Sequence, residues 1–353
     1  MFGVDPRQHI EALVLARECA QLDACGRLIG MRLTVLAGGI GGATFLRGLV
    51  QARPDAEITV IGNTADDITL FGLRVCPDLD TVMYTLGGGI SAERGWGRDD
   101  EGWLVKEELA AYGVQPTWFG LGDRDVATHL VRTQMLDAGY PLSAVTEALC
   151  DRWKLPVRLI PMSDDRVETH VVISDDEGAR KAVHFQEYWV RLHAEVPAHE
   201  IVVVGQDKAQ PAPGVLDAIA ECDVLLLPPS NPVVSVGTIL GVPGILDAVR
   251  KTAAPVVGVS PIIGEGPVRG MADKVLATIG VESRAGAVAA HYGSRKDGGV
   301  LDGWLLDTTD SEQVPQVEAA GIAARAVPLW MTDVDTTAAI ASEALDLAAA
   351  VRR

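Results

Sequence analysis

Acidic residues recur along this chain at spacings that concentrate negative charge: Asp66-Asp67, Asp78 with Asp80, Asp123 with Asp125, and Asp164-Asp165. Asp78 and Asp80 have the most chemical promise. In an extended segment, alternate residues project to one side. Two carboxylates on one side suit a hard divalent cation or a general base. The competing reading is that Asp80 caps a helix over Thr81–Leu86. Asp66 and Asp67 close the run Asn63-Thr64-Ala65-Asp66-Asp67. They suit Mg²⁺ or ribose hydroxyls, with a helix cap as the alternative. In Asp123-Arg124-Asp125, Arg124 could meet a phosphate through its bidentate fork, or the triplet could be a local ion-pair and capping device. His129, just beyond, reads as a structural side chain.

Other runs lack charge but have the shape of ligand loops. Gly38-Gly39-Ile40-Gly41-Gly42 lies between an apolar run and a helical pattern. Glycines there let the backbone approach a phosphate, and a helix N-terminus offers free N–H groups. Position 44 is Thr, so the run is not a GxGxxG fingerprint. Ser230-Asn231-Pro232 and Ser260-Pro261-Ile262-Ile263-Gly264 each follow a short apolar run and put two more such loops on one edge of the expected sheet. The aromatics of His184-Phe185-Gln186-Glu187-Tyr188-Trp189 could stack on a flat ring or pack in a core. No Walker A loop, Gly-x-Ser-x-Gly elbow or HExxH occurs, so a covalent nucleophile is not indicated.

The elements that must position these residues follow from the pattern. Leu33–Ala37, the glycine loop, a helix over Ala43–Gln51 and a strand over Glu57–Ile61 make a βαβ unit. Strands over Val224–Leu227 and Val256–Val259, helices over Gly244–Lys251 and Val268–Ile279, and strands at Trp304–Leu306 and Ala324–Val327 repeat the alternation. A long helix over Thr336–Val351 follows. The fold class is α/β: a doubly wound, Rossmann-like, mostly parallel sheet. Helices over Val126–Ala138 and Leu142–Lys154, then a hairpin turning at Asp175–Gly178, predict an inserted α+β cap at 126–200. The nucleotide-binding core is then discontinuous, 31–125 and 201–353, and residues 1–30 read as an extension without a catalytic part.

Composition narrows the function. At 353 residues the chain is long enough for two domains. With 30 Lys and Arg against 48 Asp and Glu, the net charge of −18 argues against a duplex nucleic-acid binder or a protein docked on an anionic membrane. It allows a phosphorylated small molecule if a divalent cation screens the repulsion. The cysteines at 19, 25, 76, 150 and 222 are scattered, without CxxC, as in a reducing cytoplasm. The uncharged stretch Val224–Leu246 holds four prolines, which is incompatible with a membrane-spanning helix.

Taken together, these motifs resemble one family, the 2-phospho-L-lactate transferases of coenzyme F420 biosynthesis. The resemblance rests on the glycine loop, Asn63–Asp67, Pro77–Thr81, Leu121–His129, Met162–Asp165, His184–Gln186, Ser230–Pro232 and Ser260–Gly264, in that order, and runs from about Met31 to the C-terminus. It implies a Mg²⁺-dependent enzyme that takes a guanosine diphosphate-linked donor carrying lactate or enolpyruvate on its distal phosphate. The group passes to the ribityl hydroxyl of the deazaflavin Fo, and GMP leaves. Gly41-Gly42-Ala43 resembles the actinobacterial type, the phosphoenolpyruvate transferases that give dehydro-F420-0. The resemblance further implies that Gly38, Gly39, Gly41, Gly42, Ser230, Asn231 and Pro232 hold nucleotide, with Asn63, Thr64, Asp123, Arg124, Ser260 and Gly264 as further substrate contacts. Asp78 and Asp80 are then the catalytic candidates, and Asp66, Asp67, Asp78 and Asp80 the metal candidates. A homodimer is the expected assembly. The alternatives are a non-catalytic nucleotide-binding regulator and an NAD(P)-dependent oxidoreductase. The second is weakened because the strand ends in Gly62-Asn63-Thr64, without an acid for the ribose.

Overall fold

The computed structural model describes residues 30–352 except 176 and 269. Short apolar runs become the strands β1 (Arg32–Ala37), β2 (Glu57–Gly62), β3 (Arg158–Pro161), β4 (Val224–Leu227), β5 (Val256–Val259), β6 (Gly303–Asp307) and β7 (Ala323–Val327). They form one seven-stranded sheet in the order β7-β6-β5-β4-β1-β2-β3. Every neighbouring pair in it is parallel. All four residues of β4 and of β5 are buried. Strands covered on both faces read as continuous apolar runs instead of alternating ones.

The two faces build separate cores. Leu36, Ile61 and Leu225 point into one; Val35, Val60 and Leu226 point into the other. The labelled helices are α1 (Gly39–Ala52), α2 (Pro77–Leu86), α3 (Leu104–Ala111), α4 (Asp123–Asp137), α5 (Leu142–Trp153) and α6 (Val334–Val351). On the Val35 face, α1 packs against α6. A Cβ at Gly48 would stand 2.5 Å from the Thr337 backbone, so glycine sets how closely the two helices approach. Asp333 and Thr336 start α6 with a capping box.

The sequence reads 126–200 as an inserted cap. The segment 126–200 supplies β3, which pairs with β2 at the edge of the main sheet. Helices α4 and α5 precede β3, and a three-stranded antiparallel sheet (Arg180–His184, Glu168–Ser174, Ala198–Val204) follows it. The helix expected over Val268–Ile279 is shorter, Ala272–Thr278. Before it, Ile262–Ile263 and Gly266–Pro267 form a small antiparallel ladder around Gly264, whose φ is +63°. The extension expected at 1–30 lies outside the described residues, Gly30 apart. Among the described residues no helix is long and apolar enough to cross a membrane.

Candidate active site

Strand order reverses between β1 and β4, and a doubly wound sheet opens a crevice at the carboxyl ends of its strands there. A cavity of about 1120 Å³ occupies that place. The loops after β1 and β4 are stitched together at its floor. The Gly38 N–H donates to Ser230 Oγ at 3.2 Å, and the same hydroxyl donates to the Gly38 carbonyl at 2.8 Å. Glycine is required by contact. A Cβ at Gly41 would lie 2.3 Å from the Pro229 carbonyl oxygen, and one at Gly38 would lie 2.4 Å from Asp78 Oδ2. Gly38, Gly39 and Gly41 line the cavity, whereas Gly42 packs against Ala37 and Ser230. The N-cap Gly38 has no side chain to cap α1, and although the Gly39 N–H meets Asp78, the remaining first-turn N–H groups and the positive dipole end suit an anion. Asn231 also lines the cavity, its Oδ1 accepting from the N–H groups of Val233 and Val234.

A layer of buried acids faces this loop, organised by Asn63 at the end of β2. Its Nδ2 donates to Asp78 Oδ2 at 2.9 Å and to the Val234 carbonyl, while its Oδ1 accepts from Thr238. Asn63 thus holds a catalytic candidate from outside the cavity wall. Asp66 and Asp78 both line the cavity. Burial, then repulsion from Asp78 and Asp67, raises the Asp66 carboxyl well above its ordinary range. Burial pushes Asp78 up to about 6, against hydrogen bonds from Asn63 and Gly39 that lower it. The loop 65–67 is also gripped from the antiparallel sheet: His184 Nε2 lies 3.1 Å from the Asp67 carbonyl, and Gln186 Nε2 donates to that of Asp66.

The expected acids separate into two pairs of different kind. Asp78 and Asp80 are not on an extended segment; both sit in the first turn of α2, with Pro77 starting the helix. Asp80 Oδ1 is taken by Arg132, and Asp67 Oδ2 by Arg74 at 3.0 Å and by the Cys76 thiol. Among the described residues no group of three or more metal-type side chains assembles. Asp66 and Asp78 both line the cavity without an arginine partner among the described residues, and Asp66 Oδ1 is buried with no hydrogen-bond partner among them. Magnesium is commonly held by one or two carboxylates plus substrate phosphates, so this pair fits Mg²⁺.

Asp123 and Arg124 do not line the cavity. Asp123 accepts from the N–H groups of Leu104 and Val105 and caps α3. Glu101 returns the favour, accepting from the N–H groups of Arg124 and Asp125 at the start of α4. Arg124 is half-exposed, 4.0 Å from Asp100. It is Asp125 and His129 of that motif that reach the cavity, with Tyr84 of α2. Tyr84 donates to Asp125 at 2.6 Å, and His129 Nε2 lies 3.4 Å from the other oxygen. Burial works against charge at Asp125, but the bonds from His129 and Tyr84 outweigh it and hold the carboxyl below its usual range. Thr64 and Ser260 are buried beneath the lining, Ser260 bonded to the Ile262 backbone, and Pro232 and Gly264 also stand off it.

The aromatic part of the cavity was largely missed. Phe185 and Trp189 belong to the motif read as a stacking surface, but Trp96, Phe119 and Trp330 also line the wall. Trp96 stands between Gly95 and Gly97, both at positive φ, a pattern that presents a large ring on a tight turn.

Residues 33–342 match the family described as 2-phospho-L-lactate transferase CofD. The chain is 73% identical to the phosphoenolpyruvate transferase of Streptomyces avermitilis over 91% of its own length and 99% of that protein. It is 71% identical to that of Streptomyces coelicolor, with the same coverage, and 65% to that of Thermobifida fusca over 90% and 98%. Among solved structures, protein BH3568 of Bacillus halodurans superposes with a TM-score of 0.60 at 17% identity, covering 90% of this chain and 99% of that one; this likeness speaks to fold alone. The match from β1 into α6, together with relatives at this identity across their whole length, places the chain in the 2-phospho-L-lactate transferase CofD family.

Proposed function

We propose that this enzyme moves an enolpyruvyl-bearing phosphoryl group from a guanosine diphosphate-linked donor to the terminal ribityl hydroxyl of Fo, releasing GMP and forming dehydro-F420-0. The observation that carries the chemistry is one cavity in which a helix N-terminus, a glycine loop and the Asp66/Asp78 pair face each other. The name carried by the relatives at 71–73% identity supports enolpyruvyl over lactyl.

In this reading the loop from Gly38 to Gly41 takes the diphosphate, its N–H groups donating to phosphate oxygens. Ser230 and Asn231 hold the nucleotide side, and the aromatic wall takes the flat acceptor. Asp66 and Asp78 would hold Mg²⁺, which when bound supplies positive charge to phosphate oxygens and screens the acidic walls. The hydroxyl oxygen forms a bond to the distal phosphorus while the bond from that phosphorus to the oxygen bridging it to guanylate breaks. The electron pair leaves with GMP. Asp80 accepts the hydroxyl proton, its Oδ2 having no hydrogen-bond partner among the described residues. Phosphoryl transfer asks a protein for placement and charge more than for covalent chemistry, and no nucleophile is invoked.

Mass spectrometry of products from Fo with each synthetic donor tests the reading. The expected result is the enolpyruvyl product, abolished by EDTA. Faster turnover of the lactyl donor would reverse the donor assignment, and no product from either would remove the reaction.

A further inference from the structure

Arg132 is among the largest fully buried side chains in the protein, at 2% exposure, and it does not line the cavity. Its guanidinium donates through Nη2 to Asp80 Oδ1, and through Nη1 to the Arg74 carbonyl at 3.3 Å and to His129 Nδ1 at 3.0 Å. A guanidinium has only donors, so His129 Nδ1 must accept, which leaves the ring proton on Nε2, facing Asp125. Asp125 in turn accepts from Tyr84. A chain Tyr84–Asp125–His129–Arg132–Asp80 results, with every member except Arg132 on the cavity wall.

Stability alone is a poor reason for such a pair. Burying two charges costs desolvation that their attraction roughly offsets, and apolar replacements of equal volume are often as stable. What the pair supplies is geometry. One oxygen of Asp80 is fixed by Arg132, and the other, buried and without a hydrogen-bond partner among the described residues, lies 3.8 Å from His129 Nδ1. A lone carboxylate would rotate; this one is held through Oδ1 by the Arg132 Nη2, which is itself fixed by the bonds of Nη1.

We propose that Arg132 is a positioning residue for phosphoryl transfer, holding Asp80 in the orientation from which its free oxygen meets the acceptor hydroxyl. The inference rests on the reading of Asp80 given above and concerns the acceptor side only. The donor side, at the glycine loop and Asp66/Asp78, is not touched by Arg132.

Steady-state kinetics with Fo and donor varied separately, beside calorimetric GDP binding and melting curves, provide the test on Arg132→Leu, Arg132→Lys, Asp80→Asn and the double variant Asp80→Asn/Arg132→Leu. Arg132→Leu is expected to lose about 10²-fold in kcat, the scale of a mispositioned acid–base group, with donor KM and GDP affinity within about twofold of the unsubstituted enzyme. Arg132→Lys, which keeps one donor to Asp80, is expected to recover about tenfold of that loss. The double variant should be no more than about threefold slower than Asp80→Asn, because residues acting as a unit are not additive. Normal kcat in folded Arg132→Leu overturns the proposal, and so do fully additive losses. If Arg132→Leu fails to fold with Asp80 unpaired, the double variant removes both charges and still compares with Asp80→Asn. Normal turnover in Asp80→Asn would instead remove the Asp80 reading itself; a slow Asp80→Asn with a normal Arg132→Leu removes positioning alone.

Discussion

Asp78 and Asp80 are two positions apart, and on a helix that separates their side chains by about 200° around the axis. One therefore reaches Gly38 and Asn63 while the other reaches Arg132 and His129. The run Pro77-Asp78-Leu79-Asp80 named both residues as site members but suggested the wrong backbone. Pro at the first position of a helix was the signal that corrects it. Arg132 left no such mark: its partner lies 52 positions upstream, and no local pattern announces it. The raised carboxyls of Asp66 and Asp78 have a measurable consequence. A carboxyl whose folded pKa exceeds its unfolded one gives stability that is full below about pH 4, the unfolded value. For Asp78 that stability is lost as pH rises through about 6. In EDTA, Asp78→Asn is therefore expected to melt above the unsubstituted enzyme at pH 7.5, with the gap closing by pH 4.5. Added Mg²⁺, which favours the ionised pair, should raise the melting temperature of the unsubstituted enzyme more at pH 7.5 than at pH 5. A gap independent of pH would show that Asp78 is not held at a raised pKa.

At the scale of elements, the strands and the glycine loop were legible because their signals are local: apolar runs of strand length, and glycines between strand and helix. The exchange between α3 and α4 was not. Asp123 caps α3 and Glu101 caps α4, a reciprocal arrangement between acids 22 positions apart that only the folded chain brings together. Asp123→Ala is accordingly expected to cost about 1 kcal/mol of stability, the usual loss for a cap. Its kcat should be unchanged within about twofold, well short of the loss expected for an acid–base group. A tenfold or larger fall in kcat would return Asp123 to the substrate. Two glycines of the first loop are expected to differ as well. Gly41→Val collides with the Pro229 backbone and should abolish GDP binding while lowering the melting temperature. A Cβ at Gly39 would meet Asp78 Oδ1 at an ordinary 3.9 Å, but the φ is +65°, so Gly39→Ala should cost about 1–2 kcal/mol of backbone strain and weaken GDP binding less. Calorimetry on both variants checks the order, and equal losses would contradict it.

Across the whole molecule, the doubly wound architecture was readable from both ends of the chain, since each end alternates strand and helix. The cap boundaries were harder. A four-residue strand at a sheet edge, β3, differs little from a strand of a small hairpin until it finds β2. The family match begins at residue 33, at the first strand. A protein starting at Met31 is therefore expected to retain its kcat and its KM for both substrates. Loss of activity with an unchanged melting curve would give the first thirty residues a role.

Gly38 and Ser230, hydrogen-bonded at the cavity floor, stand 192 residues apart. During synthesis β1 and β2 emerge early, and β1 then waits for β4 with one edge open. That edge belongs to a strand whose Leu33, Val35 and Leu36 are almost wholly buried in the finished protein. An unpaired apolar edge is a template for the wrong neighbour, and pairings this distant form slowly. The interval between synthesis of the first strand and of the fourth is therefore expected to be the hazardous one, and co-expression of a chaperone that shields the nascent chain is expected to raise the yield of active protein without changing its melting temperature.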